Sequence, residues 1–247
     1  MEYSKAGGYG LGLFLATGVA IGGAATATDA ASLGMKIDYG TTSVEFEDND
    51  GSGNDTNPAV GTMGFNLDGS SDGSQFGGVG FSDLRVTGGK CDTCPALLDL
   101  SVDATQVEPE FRGILSVTIS GTDFMLPDLP YIGEFGYSGL LQEESSVTTR
   151  GWWSGTNDLY AETNELGSFS FEGETPGGNY SGFQLSGWDP ENPFSMTLQM
   201  EFDIGSDDPV ASQSSARISA IPVPAALPLL LGGLGVLGAL GLRRRKA

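Results

Sequence analysis

Residues 47–56 (EDNDGSGNDT) gather a dense set of hard oxygen ligands. Asp48, Asp50, Ser52 and Gly53 fit D-x-D-x-S-G, the first half of a calcium loop. In such a loop alternate side chains turn oxygens onto one cation while a glycine makes the sharp bend. The twelfth position is Ala59, where the pattern needs a bidentate Glu. Asp55 is the substitute at hand for an irregular site, which makes calcium the candidate ion. The competing reading is a solvated acidic loop tip. The stretch 66–74 (NLDGSSDGS) is weaker and reads as turn chemistry.

Cys91 and Cys94, spaced C-D-T-C, are the only cysteines. Zinc takes four thiolate or imidazole ligands, and the chain has no histidine, so a structural zinc site lacks its donors. A redox C-x-x-C belongs in a βαβ setting, whereas this region is Gly-rich and strand-like. In an oxidising exterior the pair is expected to close a local disulfide across a turn. Few residues are enclosed, so the entropic gain is modest. The missing histidine also removes Ser-His-Asp and Cys-His catalysis. With 32 acidic residues, carboxylate pairs suited to glycoside hydrolysis arise by chance. A working pair needs a set separation and divergent pKa values, which sequence does not supply. Trp152, Trp153 and Trp188, with Tyr160 and Tyr180, are candidates for an apolar platform on which sugar rings stack, beside Asn and Asp that hold hydroxyls. Burial in a core is the competing role. Trp152 and Trp153 are adjacent, so in a strand one of them points outward.

Strands must position these groups. In residues 194–204, Phe194, Met196, Leu198, Met200, Phe202 and Ile204 alternate with Ser195, Thr197, Gln199, Glu201 and Asp203. Period-two alternation over this length predicts one buried and one wet face, as in an antiparallel sheet. Residues 114–120 repeat the pattern, and further strands are expected over 36–47, 79–87, 97–107, 140–150, 159–172 and 180–188. Clusters such as GGK, PGGN and DPENP separate them and supply turns. No amphipathic helical period and no internal repeat occurs in the body. The 39 glycines and scattered aromatics argue likewise for a turn-rich domain. The expected fold is an all-β antiparallel sandwich of jelly-roll or immunoglobulin-like type over residues 28–205. Residues 206–220 (SDDPVASQSSARISA) read as a Ser/Asp-rich spacer.

Charge is unevenly spread. Residues 28–220 hold 31 of the 32 acidic residues against only Lys36, Arg85, Lys90, Arg112, Arg150 and Arg217. Such a surface repels nucleic acid and anionic lipid, so no nucleic-acid partner is expected. It favours solubility or divalent cations.

The ends complete the organisation. Residues 11–25 (LGLFLATGVAIGGAA) follow a head containing Lys5 and precede the small-x-small site Ala25-Thr26-Ala27. These are the parts of a secretory signal peptide over residues 1–27. At the other end, Pro222, Val223, Pro224 and Ala225 lead into an uncharged run over 225–242 and then Arg243, Arg244, Arg245 and Lys246. Eighteen residues at ~1.5 Å each give a helix of ~27 Å, close to the hydrocarbon core of a bilayer. The basic cluster acts as a stop-transfer signal that stays cytoplasmic and leaves the acidic body outside.

The order Pro-x-Pro-Ala, hydrophobic helix and basic cluster resembles the PEP-CTERM sorting signal, in particular its VPLPA-CTERM variant. Ile221 stands where Val is usual and Val223 where Leu is usual. The resemblance covers residues 221–247. It implies processing by an exosortase, a membrane-embedded cysteine protease-transpeptidase that cuts near the proline motif. It also implies a Gram-negative host that makes extracellular polysaccharide. The stretch before the motif, NPFSMTLQMEFDI and the Ser-rich residues after it, resembles the last strand common in such proteins.

The sequence thus leads to three readings. The first is an exported, membrane-tethered structural or adhesive component of the cell surface or extracellular matrix, with no catalytic role. The second is a carbohydrate-binding module for extracellular polysaccharide, calcium-assisted or not. The third is a polysaccharide hydrolase.

Overall fold

A computed structural model describes residues 32–48, 62–65, 79–89, 96–106, 113–126, 130–141, 145–173, 178–204 and 211–223. Within them the chain forms twelve strands: β1 (Leu33–Tyr39), β2 (Thr42–Glu47), β3 (Thr62–Phe65), β4 (Val79–Gly89), β5 (Leu97–Gln106), β6 (Gly113–Phe124), β7 (Tyr131–Leu141), β8 (Ser145–Ser154), β9 (Asn164–Glu172), β10 (Gly178–Trp188), β11 (Phe194–Ile204) and β12 (Ala211–Pro222). They make two six-stranded sheets, β2-β1-β6-β11-β8-β9 and β10-β7-β12-β5-β4-β3, antiparallel at every pairing. The expected all-β antiparallel architecture is therefore present, with more strands than periodicity gave. The expected signal and membrane helices lie outside the described residues.

The alternation in β11 does what it promised. Phe194, Met196, Leu198, Met200 and Phe202 are all buried in the one core that joins the two sheets. Leu115, Val117 and Ile119 of β6 and Leu33, Met35 and Ile37 of β1 share that face. Leu98, Leu100 and Val102 of β5, Phe135 of β7 and Ile218 of β12 come from the opposite sheet. Burying a large apolar side chain stabilises by about 1.5–3 kcal/mol, so this shared core is what binds the sheets face to face.

Three runs differ from the alternation reading. Residues 36–47 are a hairpin rather than one strand, because Gly40 adopts φ 58° and reverses the chain between β1 and β2. Residues 140–150 straddle the end of β7 and the start of β8, which lie in different sheets. The third difference is the largest. Residues 211–220, expected as spacer, belong to β12, which pairs with β5 on one side and β7 on the other. Ser214, Ala216, Ile218 and Ala220 turn inward and are buried. Small side chains suit this central position, where Phe135 and Trp188 of neighbouring strands fill the space. Alternation of serine with alanine carries little hydrophobic contrast, so the strand reads as polar linker.

Where the sheets' edges approach, Gln184 of β10 acts as a clasp onto β9. Its amide donates to the Ser168 carbonyl at 2.6 Å and accepts from the Ser168 N–H at 3.3 Å, as a strand neighbour would. Gly167 makes room, since a Cβ there would lie 2.7 Å from a Phe135 ring carbon. Behind the clasp Tyr137, Phe169, Phe171 and Tyr180 stack, with the closest pair of ring centroids 3.9 Å apart.

Candidate functional site

The outer faces of the two sheets are built differently. On the β6–β11–β8 sheet, residues 155–163 fold back over one end. The Tyr160 backbone N–H donates to Ser120 Oγ at 2.9 Å, and the Thr197 hydroxyl donates to the Ala161 carbonyl at 3.2 Å. Asn157 exchanges two hydrogen bonds with Asp123, at 2.7 and 2.8 Å. Asp123, Asn157 and Tyr160 all adopt positive φ, a conformation costly for residues with a Cβ and held here by those bonds. The hydroxyls beneath, Ser120 and Thr197, are fully buried. Burial, followed by the neighbouring carboxylates of Glu45 and Glu47, holds the Tyr160 phenol well above its ordinary range and therefore neutral.

This segment explains the tryptophans. Trp152 pairs with Thr197, which pairs with Ser120, so Trp152 lies in the row that residues 155–163 cover, and it is buried. Trp188 is in the core, edge-on to Phe194 at 5.7 Å. Trp153 is partly buried against the core. The structure does not bring the three together as an exposed platform, because the outward-pointing member of the Trp152–Trp153 pair is roofed by the chain itself. Tyr180 is also buried, donating to Ser214 Oγ at 2.6 Å.

The outer face of the β10–β7–β12–β5 sheet carries no such roof among the described residues. Its outward residues fall into register rows. Phe183, Gly136, Arg217, Asp99 and Thr87 form one, while Ser181, Ser138, Ser215 and Ser101 form the next. Leu140, Gln213 and Asp103 continue along the strands, and Leu185 with Glu134 precede them. Two depressions, of about 270 and 320 Å³, open on this face and share Ser138 and Ser215. Together they make one shallow trench parallel to β7 and β12. From Glu134 to Leu140 is six residue steps, about 20 Å at ~3.3 Å each.

Small residues carve the floor. A Cβ at Gly136 would lie 3.2 Å from Arg217 Nε, so the glycine lets the guanidinium lie flat across the strand. The Ser138 and Ser215 hydroxyls pair at 2.9 Å. One wall carries Phe183 and Leu185, 64 % and 55 % exposed. The other carries Asp99 and Asp103. Charges in the trench are matched: Arg217 binds Glu134 at 2.7 Å, and Gln213 donates to Asp103 at 3.1 Å. Burial pushes the Asp99 carboxyl up, while Arg217 and Arg85 pull it partly back. In a strongly acidic body this is a face of compensated charge.

Other expected site residues are placed only in part. Pro222 ends β12 opposite Tyr131, and the Val223 N–H donates to the Pro130 carbonyl at 2.9 Å. Pro224, Ala225 and Arg243–Lys246 lie outside the described residues, as do Cys91 and Cys94. Of the calcium candidates only Asp48 is described, at the end of β2, its N–H donating to the Leu33 carbonyl at 2.9 Å. Asp50, Ser52 and Asp55 are outside. Phe183 was not singled out from sequence. Its signal is the parity of β10, where Tyr180 and Trp188 fall on one face and Phe183 and Leu185 on the other.

The fold and site together define an all-β protein of two antiparallel sheets in a sandwich-like arrangement, with one outer face roofed and the other trenched. No family model matches the chain, and no curated protein matches it.

Proposed function

We propose that the chain is an exported cell-surface or extracellular-matrix protein with a structural or adhesive role. It is tethered by its C-terminal apolar run and processed as an exosortase substrate. The supporting observation is the position of Pro222 and Val223. The last strand of the body runs through the middle of its sheet and ends where the proline motif begins. A load entering at Val223 is carried along β12 and shared by ladders to β5 and β7. Proline, which lacks a donor, suits that terminal position. The nested pairings β5–β12, β6–β11, β7–β10 and β8–β9 follow jelly-roll connectivity, with β3–β4 and β1–β2 widening the sheets. We take the fold to be a widened jelly roll. Without histidine, the body serves binding rather than catalysis.

Intact mass and cell fractionation of the native protein, beside Pro222→Ala/Pro224→Ala, test this. The expected result is native protein lacking both ends and a variant that keeps its basic tail in the membrane fraction. Retention of the tail in both makes the C-terminus an ordinary single-span anchor and removes the sorting reading.

A further inference from the structure

We infer that the trench on the β10–β7–β12–β5 face is a binding site for an uncharged, linear polysaccharide chain. This names the ligand of the adhesive reading and rests on it only for biological meaning. Fractionation reports delivery and titration reports the trench, so the two fail separately.

Three features of the trench select this occupant. The first is shape: it runs about 20 Å along the strands and is shallow, which suits an extended chain of rings and not a compact molecule. The second is chemistry. Phe183 offers an exposed ring face to the apolar side of a sugar, and Leu185 extends it. Opposite it, Ser138, Ser215, Gln213, Asp99 and Asp103 offer acceptors and donors for hydroxyls. Apolar surface with a few placed polar groups is the usual make-up of a ligand site. The third is charge. Elsewhere the body carries a large acidic excess, yet here Arg217 answers Glu134, and Arg217 and Arg85 both face Asp99. Matched charges leave no net field for a polyanion, and the surrounding acid repels one. An uncharged chain encounters neither penalty.

The experiment uses the folded body, β1 to β12 entire, in amide NMR titrations with cellotetraose and maltotetraose, and with an oligogalacturonate as the charged comparison. At least one neutral tetrasaccharide is expected to shift amides of β7, β10 and β12 while the uronate leaves them unmoved. Phe183→Ala should weaken binding by about tenfold, since losing a stacking face is typically worth ~1.4 kcal/mol. Ser138→Trp, which fills the floor, should abolish it. Both side chains are exposed, so each variant should keep the parent's melting temperature and dispersed spectrum, which separates lost binding from lost fold. Shifts clustered elsewhere, binding of the uronate in place of the neutral sugars, or no response to either neutral tetrasaccharide would overturn the inference. Release of new reducing ends would replace a binding face with a hydrolytic one.

Discussion

The two outer faces begin from the same material, serine- and threonine-rich strands with a sparse set of charges, and reach opposite ends. On the roofed face the hydroxyls of Ser120 and Thr197 are consumed by backbone groups of residues 160 and 161. On the trenched face the hydroxyls of Ser138 and Ser215 meet only each other among the described contacts and stay open to water. The difference teaches that polar strand residues are not by themselves a surface feature. Whether they become architecture or a site depends on whether a neighbouring segment returns over them. For the roofed face that segment is the one between β8 and β9, locked by Asn157 and Asp123.

The comparison breaks most completely if the trenched sheet loses its middle. A chain ending at residue 210 lacks β12, leaving β5 and β7 without their shared partner, and should show no dispersed amide spectrum and no cooperative melt. Next in size is the roof. Asn157→Ala removes both bonds to Asp123 and puts an alanine at φ 57°, and should cost about 2–3 kcal/mol in urea denaturation. Asn157→Gly, which tolerates that φ, should recover roughly 1 kcal/mol of it. Equal losses in the two variants would show that the hydrogen bonds alone hold the roof.

Asp99 gives a smaller, pH-dependent effect. Its folded pKa is raised above the unfolded value, so the protonated form is favoured by folding. The stability it contributes is present below the ordinary aspartate range and is lost as pH rises through the elevated folded value. Asp99→Asn should remove that portion of the slope, and the difference between parent and variant against pH isolates it from other carboxylates. Smallest of all, Ser138→Ala should move stability by less than about 0.5 kcal/mol, as for most exposed positions. A loss of 2 kcal/mol or more at Ser138 would mean that the trench is structural in the same sense as the roof.

Sequence reveals the two faces unequally. The core strands β6 and β11 are plain in it because large apolar residues alternate with polar ones. β12 is hidden because its inward positions are Ser214, Ala216 and Ala220, whose burial depends on partners far along the chain. β7 is obscured by Gly133, Gly136 and Gly139, which break the contrast between faces. The tryptophans mislead for a different reason. Parity says that one of Trp152 and Trp153 points out, and it does, but no local pattern announces that nine residues will fold over it. Phe183 shows the reverse case, since its exposure follows from being odd in a strand whose even positions, Tyr180 and Trp188, are anchored inside.

The central place of β12 also bears on when the domain can form. Its partners on β5 lie about a hundred residues earlier, as in the pairing of Ala211 with Thr105. Such distant pairing is slow to close and cannot begin until the final strand is available. A chain threaded across a membrane from its N-terminus would stay incomplete until nearly its whole length had passed. It would remain loose enough to travel and would become rigid only on arrival.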